Sequence, residues 1–293
     1  MVLKPKKKLL NISRPKPENI NRKNFYRFDR NERTDLFDLK VFEKLINQID
    51  AYDLIAYPNL MPLYESIASY HSIDKEKILL TSGGDQGVKM IFETYITKKD
   101  NVINTSPNYA MYSVYTQMFG AGEIILNYDQ NLTLDIENLI NQINSKTKLI
   151  TISNPGHNGI CIPTKKIVKI LKAAKKTKTL VIIDEAYSDF SGNTAIKLIN
   201  NFENLILLRT MSKAFGIASL RVGYLISNQE NINNIYKVKP VHEITGVSFK
   251  IAKYLIDNEQ IKNNYVNEVN QSKKTLIKFF KKQKIKYLSL IHI

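Results

Sequence analysis

Short β-rich runs alternate with helical patterns through the middle of this 293-residue sequence. Between these runs, apolar residues recur at helical spacing in Gln86–Tyr95, in Leu134–Ile143 and in the segment after Pro163. Such alternation is typical of βαβ units and predicts an α/β fold, in which a mostly parallel sheet has helices on both faces. The predicted strands are Lys77–Thr81, Asn101–Thr105, Glu123–Leu126, Lys148–Ser153, Thr179–Asp184 and Asn204–Arg209.

The two ends of the chain differ from this middle part. Residues 1–35 are polar and contain prolines without a clear period, which predicts an extended N-terminal arm. Residues 36–245 form the predicted large α/β domain. From Gly246 onward helical patterns continue, and residues 286–293 read as a strand that begins where the sequence stops. We therefore expect residues 246–293 to be the start of a small α+β domain, incomplete because the chain is truncated.

The chain is basic, with 43 Lys and Arg against 27 Asp and Glu and a formal net charge of +16. A charge of this size is compatible with a nucleic-acid or other anionic partner. The basic residues are nevertheless scattered, with short clusters only at Lys6–Lys8 and Lys281–Lys286. No zinc-finger spacing, RNP-like aromatic pattern or long basic arm accompanies them. We therefore expect no nucleic-acid partner and no metal site.

The sequence favours a cytoplasmic location. Cys161 is the single cysteine, which excludes an internal disulfide and fits a reducing compartment. The N-terminal segment begins basic, but its apolar part is too short for a signal peptide. There is also no run of about 18 apolar residues of the kind that spans a membrane. We expect no membrane partner.

Polar residues follow the predicted strands at the edge where open α/β sheets bind their ligands. Ser82–Gly87 opens a helix whose free N–H groups would attract a phosphate. The alternative is that the Gly-Gly pair only forms a turn before the helix and binds no ligand. Asp184 ends the most apolar strand, where it either caps the next element or serves a site. Lys213 lies among hydroxyls and small residues, with Arg221 eight residues later. This setting favours a nucleophilic amine beside an anion that hydroxyl and guanidinium donors hold.

Together these segments resemble the fold-type I aminotransferases that use pyridoxal 5′-phosphate (PLP), most closely their histidinol-phosphate aminotransferase-like branch. The similarity spans residues 30 to about 250. It implies the PLP-transferase fold type I for the large domain, with a mostly parallel sheet sandwiched by helices. The matching motifs are Tyr57-Pro58, Ser82–Gly87 (SGGDQG), Pro107–Tyr112 (PNYAMY), Asn154-Pro155, Asp184–Tyr187 (DEAY) and Arg209–Tyr224 (RTMSKAFGIASLRVGY).

The resemblance also implies the catalytic residues. Lys213 is expected to bind the cofactor covalently and, once released, to move a proton between the substrate carbon and the cofactor. Asp184 is expected to pair with the pyridine nitrogen and keep it protonated, so that the ring can accept electrons. Tyr187 is expected to donate a hydrogen bond to the ring oxygen O3′.

Further residues would bind the cofactor without taking part in proton transfer. Tyr57 is expected to reach the phosphate of the neighbouring subunit's cofactor, which implies a homodimer with shared active sites. Tyr112 and Tyr115 are interpreted as core residues, because most of the 16 tyrosines must be ordinary packing residues. The other implied contacts are Tyr109, stacked on the ring, and Gly84, Asp85, Gln86, Thr210, Ser212 and Arg221 around the phosphate.

The sequence departs from the family in three places. The loop 154–160 reads NPGHNGI, so either His157 or Asn158 is expected to donate to O3′ where the family has an asparagine. Lys237–Ile244 and Asp29–Arg33 differ from family segments that border the substrate pocket. The C-terminal part also contains no arginine to match the one that grips the substrate carboxylate. These departures affect the prediction of the substrate more than the prediction of the cofactor.

The sequence thus predicts a PLP-dependent transaminase that exchanges an amino group between an amino acid and an oxo-acid or oxo-phosphate. Its partners would be a small-molecule amino donor and an oxo acceptor. One alternative is a PLP decarboxylase of the threonine-phosphate decarboxylase kind, which has nearly the same motifs. Another is a non-catalytic remnant of the fold. A half-reaction assay separates the two enzymes, since only a transaminase accumulates pyridoxamine phosphate stoichiometrically.

Overall fold

The middle of the chain folds into one mixed sheet in the computed structural model, which describes residue 3 and residues 6–10, 12–14, 16, 20–156 and 159–287. The strands found in these residues are β1 (Ile78–Thr81), β2 (Asn101–Ser106), β3 (Gly122–Asn127), β4 (Thr147–Ser153), β5 (Leu180–Asp184), β6 (Leu205–Thr210) and β7 (Gly223–Ile226). Their order across the sheet is β1-β7-β6-β5-β4-β2-β3. Every pairing is parallel except those of β7, which is antiparallel to β6 and to β1.

The structure confirms the predicted α/β fold with a mostly parallel sheet. Each of the six predicted strands lies within one residue of its predicted bounds. The strand that was not predicted is β7, whose first two residues, Gly223 and Tyr224, fall within the motif Arg209–Tyr224. It lies between β1 and β6, so it joins the first strand of the chain to the rest of the sheet.

Helices cover both faces of this sheet. Among the described helices, none has the length together with the apolar character that crossing a membrane requires. The helices are α1 (Leu39–Ile46), α2 (Met61–His71), α3 (Gly83–Tyr95), α4 (Met111–Phe119), α5 (Ile136–Asn141), α6 (Thr164–Lys176), α7 (Ser188–Ser191), α8 (Gln229–Tyr236), α9 (Gly246–Asp257) and α10 (Gln260–Lys282).

Alternate residues of β5 point into two separate cores. Leu180 and Ile182 pack on the face that α3 and α4 cover, whereas Val181 and Ile183 pack on the face that α2, α6 and α9 cover. Successive side chains of a strand point to opposite faces of the sheet. The next residue, Asp184, therefore continues on the α3–α4 face at the edge where β5 ends.

The part of the chain after residue 245 begins with α9. This helix packs against α2, and its buried residues Phe249, Ala252 and Leu255 belong to one of the two sheet cores. The longer α10 follows and is less buried, with Phe279 half exposed. The division into a large domain and a small domain at residue 246 stays a prediction. The predicted final strand lies outside the described residues from 288 onward, and residues 285–287 are in no helix or strand.

Candidate active site

The Asp184 carboxylate lies buried at the end of β5, with 5% of the residue exposed. The Tyr112 hydroxyl donates to Oδ2 at 3.0 Å, and the Ala186 backbone N–H donates to Oδ1 at 3.0 Å. Burial raises the pKa of this carboxyl to about 6, although the two hydrogen bonds and the nearby Lys213 amine oppose the rise. In the described part of the chain no ion pair includes Asp184, so neutral donors alone bind its charge directly.

The Lys213 amine lies just beyond the end of β6. Its Nζ donates to the backbone carbonyls of Arg30 at 2.8 Å and Asn31 at 3.2 Å. Burial lowers the pKa of this amine, while the negative charges of Asp184 and Glu32 oppose the effect. A lower pKa increases the fraction of neutral amine, which is the nucleophilic form. The structure thus brings Lys213 into electrostatic range of Asp184.

The Tyr187 side chain lies between this lysine and the N-terminal arm. Lys213 Nζ is 5.5 Å from the centroid of the Tyr187 ring, and the Asn31 amide donates to the Tyr187 hydroxyl at 3.2 Å. Burial raises the pKa of the phenol to about 12, so it stays protonated at neutral pH. The arm therefore contributes Asn31 to the site directly, a contact that the sequence did not predict.

The turn between β1 and α3 lies against the start of β7. Gly83 has a φ of +74°, which favours glycine, and a Cβ at this position would collide with the Arg221 guanidinium. A Cβ on Gly223 would lie 2.7 Å from the carbonyl carbon of Gly83. The absence of two side chains therefore allows the N-terminus of α3 to approach Arg221 closely.

Two hydroxyls complete this arrangement, which we call the anion cradle (Gly83, Gly84, Thr210, Ser212 and Arg221). The Thr210 Oγ1 donates to the Ser212 Oγ at 3.0 Å. A Cβ on Gly84 would lie 3.9 Å from that of Thr210. A helix N-terminus, two hydroxyls and a guanidinium are together a donor set that suits a phosphate.

The side chains of Asp85 and Gln86, at the start of α3, form hydrogen bonds within the protein, and their predicted role as cofactor ligands stays a prediction. The Asp85 carboxylate accepts hydrogen bonds from the hydroxyls of Tyr109 at 3.3 Å and Tyr115 at 3.1 Å. The Gln86 Oε1 accepts from the backbone N–H of Ser82 at 2.5 Å. In this geometry Asp85 fixes the Tyr109 ring, and Gln86 stiffens the turn that carries the anion cradle.

The other sequence-predicted residues have different outcomes. Tyr57 is 75% exposed, and its ring stacks on His242 of the same chain with centroids 3.5 Å apart. His157 and Asn158 lie outside the described residues. Tyr112, interpreted as core, is indeed fully buried, but its hydroxyl reaches Asp184, and no feature of the sequence predicted that contact.

The groups at the ends of β5 and β6 and at the start of α3 fit PLP in number and kind. The anion cradle matches a phosphate, because glycines leave room between a helix N-terminus and a guanidinium. The buried Asp184 carboxylate matches a protonated ring nitrogen. The half-buried Lys213 amine, with its lowered pKa, is the kind of group that bonds to an aldehyde.

Comparison with known proteins agrees with this fit. The family profile described as aminotransferase class I and II matches residues 24–289. The histidinol-phosphate aminotransferase of Caldanaerobacter subterraneus subsp. tengcongensis is 33% identical over 257 residues, which cover 86% of this chain and 72% of that protein.

Two solved structures have a similar fold. The histidinol-phosphate aminotransferase from Clostridium acetobutylicum matches with a TM-score of 0.75 and 24% identity, over 82% of this chain and 73% of that one. The histidinol-phosphate aminotransferase from Sinorhizobium meliloti, in complex with pyridoxal-5′-phosphate, matches with a TM-score of 0.77 and 20% identity. That match covers 84% of this chain and 68% of the other.

Proposed function

The chain belongs to the class I and II aminotransferases, and on that premise we propose that it exchanges an amino group between an amino acid and an oxo-acid or oxo-phosphate. It is a transaminase, and its cofactor is PLP. The observation that carries the proposal is the position of the Lys213 amine beside Tyr187 and in electrostatic range of the buried Asp184. Because the Caldanaerobacter relative is named a histidinol-phosphate aminotransferase, we propose substrates of that kind, an amino donor and an oxo acceptor that carry anionic groups.

Each residue of the site has a task in this proposal. When bound, PLP supplies an aldehyde that condenses with amines and a ring that withdraws electrons from the substrate carbon. Lys213 would hold the cofactor and would later accept and return the proton of the substrate carbon through Nζ. A lowered pKa suits both tasks, since a proton-transfer group works best when its pKa is near the working pH.

The remaining groups bind and orient. Asp184 would hold the pyridine nitrogen, and its negative charge would keep that nitrogen protonated. Tyr187, whose phenol stays protonated, would donate to O3′. The anion cradle would hold the phosphate through the N-terminus of α3, the hydroxyls of Thr210 and Ser212, and the Arg221 guanidinium.

Replacement of the lysine tests this assignment. Lys213→Ala is expected to abolish the absorbance band of the lysine-bound cofactor and all transamination, because no other group can form that bond. Circular dichroism should show an unchanged fold, since the amine donates its hydrogen bonds to backbone carbonyls of the N-terminal arm. Lys89→Ala is the matched control, because Lys89 lines the cavity of about 370 Å³ beside Arg221 but lies on the surface of α3.

Borohydride reduction gives the decisive readout. It should fix the cofactor to the peptide that carries Lys213 in the wild type and in Lys89→Ala, and to no peptide in Lys213→Ala. A reduced adduct on another lysine would refute the assignment. With an amino donor alone, the wild type should convert its PLP stoichiometrically into pyridoxamine phosphate. Release of carbon dioxide without that product would identify a decarboxylase instead.

The exposed apolar surface supports a homodimer with shared active sites, which we also propose. Most of the large apolar side chains exposed in the described part of the chain lie between residues 20 and 61. On α1, Leu39, Phe42 and Ile46 all face outward, and an apolar patch this extensive marks an interaction site. A second copy of the chain would cover it, and Tyr57, in the same region, would reach the partner's cofactor phosphate. We propose a cytoplasmic location for this dimer.

Tyr57→Phe tests the shared site. Loss of one hydrogen bond to a phosphate should weaken PLP affinity by about 1.5–3 kcal/mol and leave the stability of the chain almost unchanged. Tyr52→Phe, on the same exposed segment, is the control and should bind PLP normally. Mixing Tyr57→Phe with Lys213→Ala subunits should restore activity at limiting PLP, because each heterodimer then contains one intact site. A monomer with full PLP occupancy would exclude the shared site.

A further inference from the structure

The Tyr112 side chain carries a hydroxyl group into the apolar core between α4 and the sheet. It lies on the inner face of α4, fully buried against the sheet, with its ring 6.1 Å from that of Tyr109 in an edge-to-face arrangement. A buried tyrosine hydroxyl requires a hydrogen-bond partner. The partner is Oδ2 of Asp184, 3.0 Å away. This hydroxyl is the only side-chain donor to the carboxylate in the described part of the chain.

We propose that Tyr112 is a positioning residue of the active site, whose hydroxyl fixes Oδ2 of Asp184 and keeps the carboxylate ionised. The role rests on the proposed function, in which Asp184 holds the ring nitrogen. Ala186 fixes the other oxygen, Oδ1, so the two donors together prevent rotation of the carboxylate. A carboxylate held at both oxygens presents its remaining lone pairs in one fixed direction.

The balance of charge around Asp184 makes this donor important. The titratable groups of the described chain that face Asp184 are Tyr109 and Tyr112 from the α4 side, Glu185 and Tyr187 from its own segment, and Lys213 from beyond β6. Of these groups only Lys213 is a cation, and Glu185 disfavours ionisation. Burial already raises the pKa of Asp184 to about 6. A hydrogen bond to the ionised form opposes that rise, and its loss would bring the pKa towards neutrality.

The alternative role for Tyr112 is that of a packing residue whose hydroxyl happens to find a partner. Tyr112→Phe distinguishes the two roles, because it keeps the ring and removes the hydroxyl. Tyr115→Phe is the matched control. Tyr115 lies on the same helix and is also buried, but its hydroxyl donates to Asp85 rather than to Asp184.

The first measurement is the pKa of Asp184 in the cofactor-free protein, by ¹³C NMR with labelled aspartate and with Asp184→Asn to assign the resonance. The pKa is expected to rise by roughly one to two pH units in Tyr112→Phe and to stay unchanged in Tyr115→Phe. An equal value in wild type and Tyr112→Phe would overturn the proposal. This measurement needs no substrate, so its failure is separate from any failure of the proposed function.

The second measurement is the pH profile of transamination in the PLP-loaded enzyme. Tyr112→Phe should shift the acidic limb of kcat/KM to higher pH and regain most of its activity once the pH lies above that limb. A loss of activity that is independent of pH would indicate packing alone and overturn the proposal. If Tyr112→Phe folds poorly, 3-fluorotyrosine at position 112 provides the opposite test. Its more acidic hydroxyl is a stronger donor and should lower the pKa of Asp184, and a rise would contradict the proposed role.

Discussion

Asp184 and Glu185 are consecutive buried carboxylates with opposite surroundings. On the α3–α4 face, Asp184 accepts hydrogen bonds from a hydroxyl and a backbone N–H. On the opposite face, Glu185 forms an ion pair with the buried Arg209 at 2.6 Å. Glu185 also accepts from the Thr194 hydroxyl at 2.9 Å and from the Ala195 backbone N–H at 2.5 Å.

The difference shows that consecutive residues at the end of one strand can have separate tasks, because Glu185 stabilises the fold while Asp184 stays available to a ligand. Burial raises the pKa of both carboxyls, and at Glu185 the positive charge of Arg209 opposes the rise. Because the Glu185 carboxylate is already paired with Arg209 and hydrogen-bonded, it gains little from binding a further positive group. Asp184 has no such counter-charge in contact within the described chain, so a positive group that arrives from outside gains a full interaction with it.

Asp184→Asn should have the largest effect, and it should be on turnover. An amide cannot supply the charge that holds a ring nitrogen protonated, so we expect kcat to fall about a thousandfold, or ~4 kcal/mol. PLP should still bind through Lys213 and the anion cradle. Steady-state kinetics and the cofactor absorbance would measure the two effects. Near-normal turnover in a correctly loaded variant would remove Asp184 from its proposed role.

The same substitution should have the opposite effect on the stability of the cofactor-free protein. The folded-state pKa of Asp184, about 6, lies above the ordinary value of 3.8 for an aspartate in an unfolded chain. Stability is therefore greatest when the group is protonated, below pH 3.8, and is lost as the pH rises through 6. Asp184→Asn removes this loss, which amounts to roughly 3 kcal/mol at neutral pH. Denaturant unfolding of wild type and variant between pH 4 and 7 would show the two curves diverging.

Glu185→Gln should have a smaller effect, on stability instead of chemistry. It leaves the Arg209 guanidinium buried without its nearest counter-ion, although Asp189 lies 4.0 Å from it. We expect a loss of about 3 kcal/mol in the free energy of unfolding. Turnover per folded, PLP-loaded molecule should stay close to that of the wild type. A large loss of turnover in fully folded protein would mean that the two faces are not functionally separate.

Removal of both partners of that ion pair sharpens the comparison and should have the smallest effect. Glu185→Met combined with Arg209→Met replaces two buried charged side chains with unbranched apolar ones. Such replacements are often nearly neutral, so we expect stability within about 1 kcal/mol of the wild type. The same denaturant measurement tests this expectation, and a loss larger than that of Glu185→Gln would contradict it.

Much of this organisation was predictable from the sequence. The hydrophobic runs indicated six strands, because buried parallel strands are apolar on both faces. The family resemblance indicated Lys213, Asp184, Tyr187, Gly84, Thr210, Ser212 and Arg221 from their positions in the motifs, and their roles toward the cofactor stay predictions. Local patterns of this kind can be recognised in the sequence because they depend on residues that are neighbours in the chain.

Contacts between distant segments were not predictable in this way. The interpretation of Tyr112 as a core residue is right about its burial, but it carries no information on what the hydroxyl contacts across the sheet. Asn31 and Tyr187 are far apart in the sequence, and the arm has no period from which their contact could be inferred. The strand β7 was missed because its first residues were interpreted as the end of the motif Arg209–Tyr224.

The position of β1 has a consequence for how a newly synthesised chain acquires its site. β1 has a single neighbour in the sheet, and Ile78 lies opposite Ile226 while Thr81 lies opposite Gly223. Among the described strands, β1 therefore has no strand partner until β7, which follows β2 to β6 in the chain, has been synthesised. Contacts so distant in sequence form late, because the intervening loop must first lose its conformational freedom. Gly83 and Arg221 lie where β1 meets β7, so the anion cradle cannot form before β7 has been synthesised.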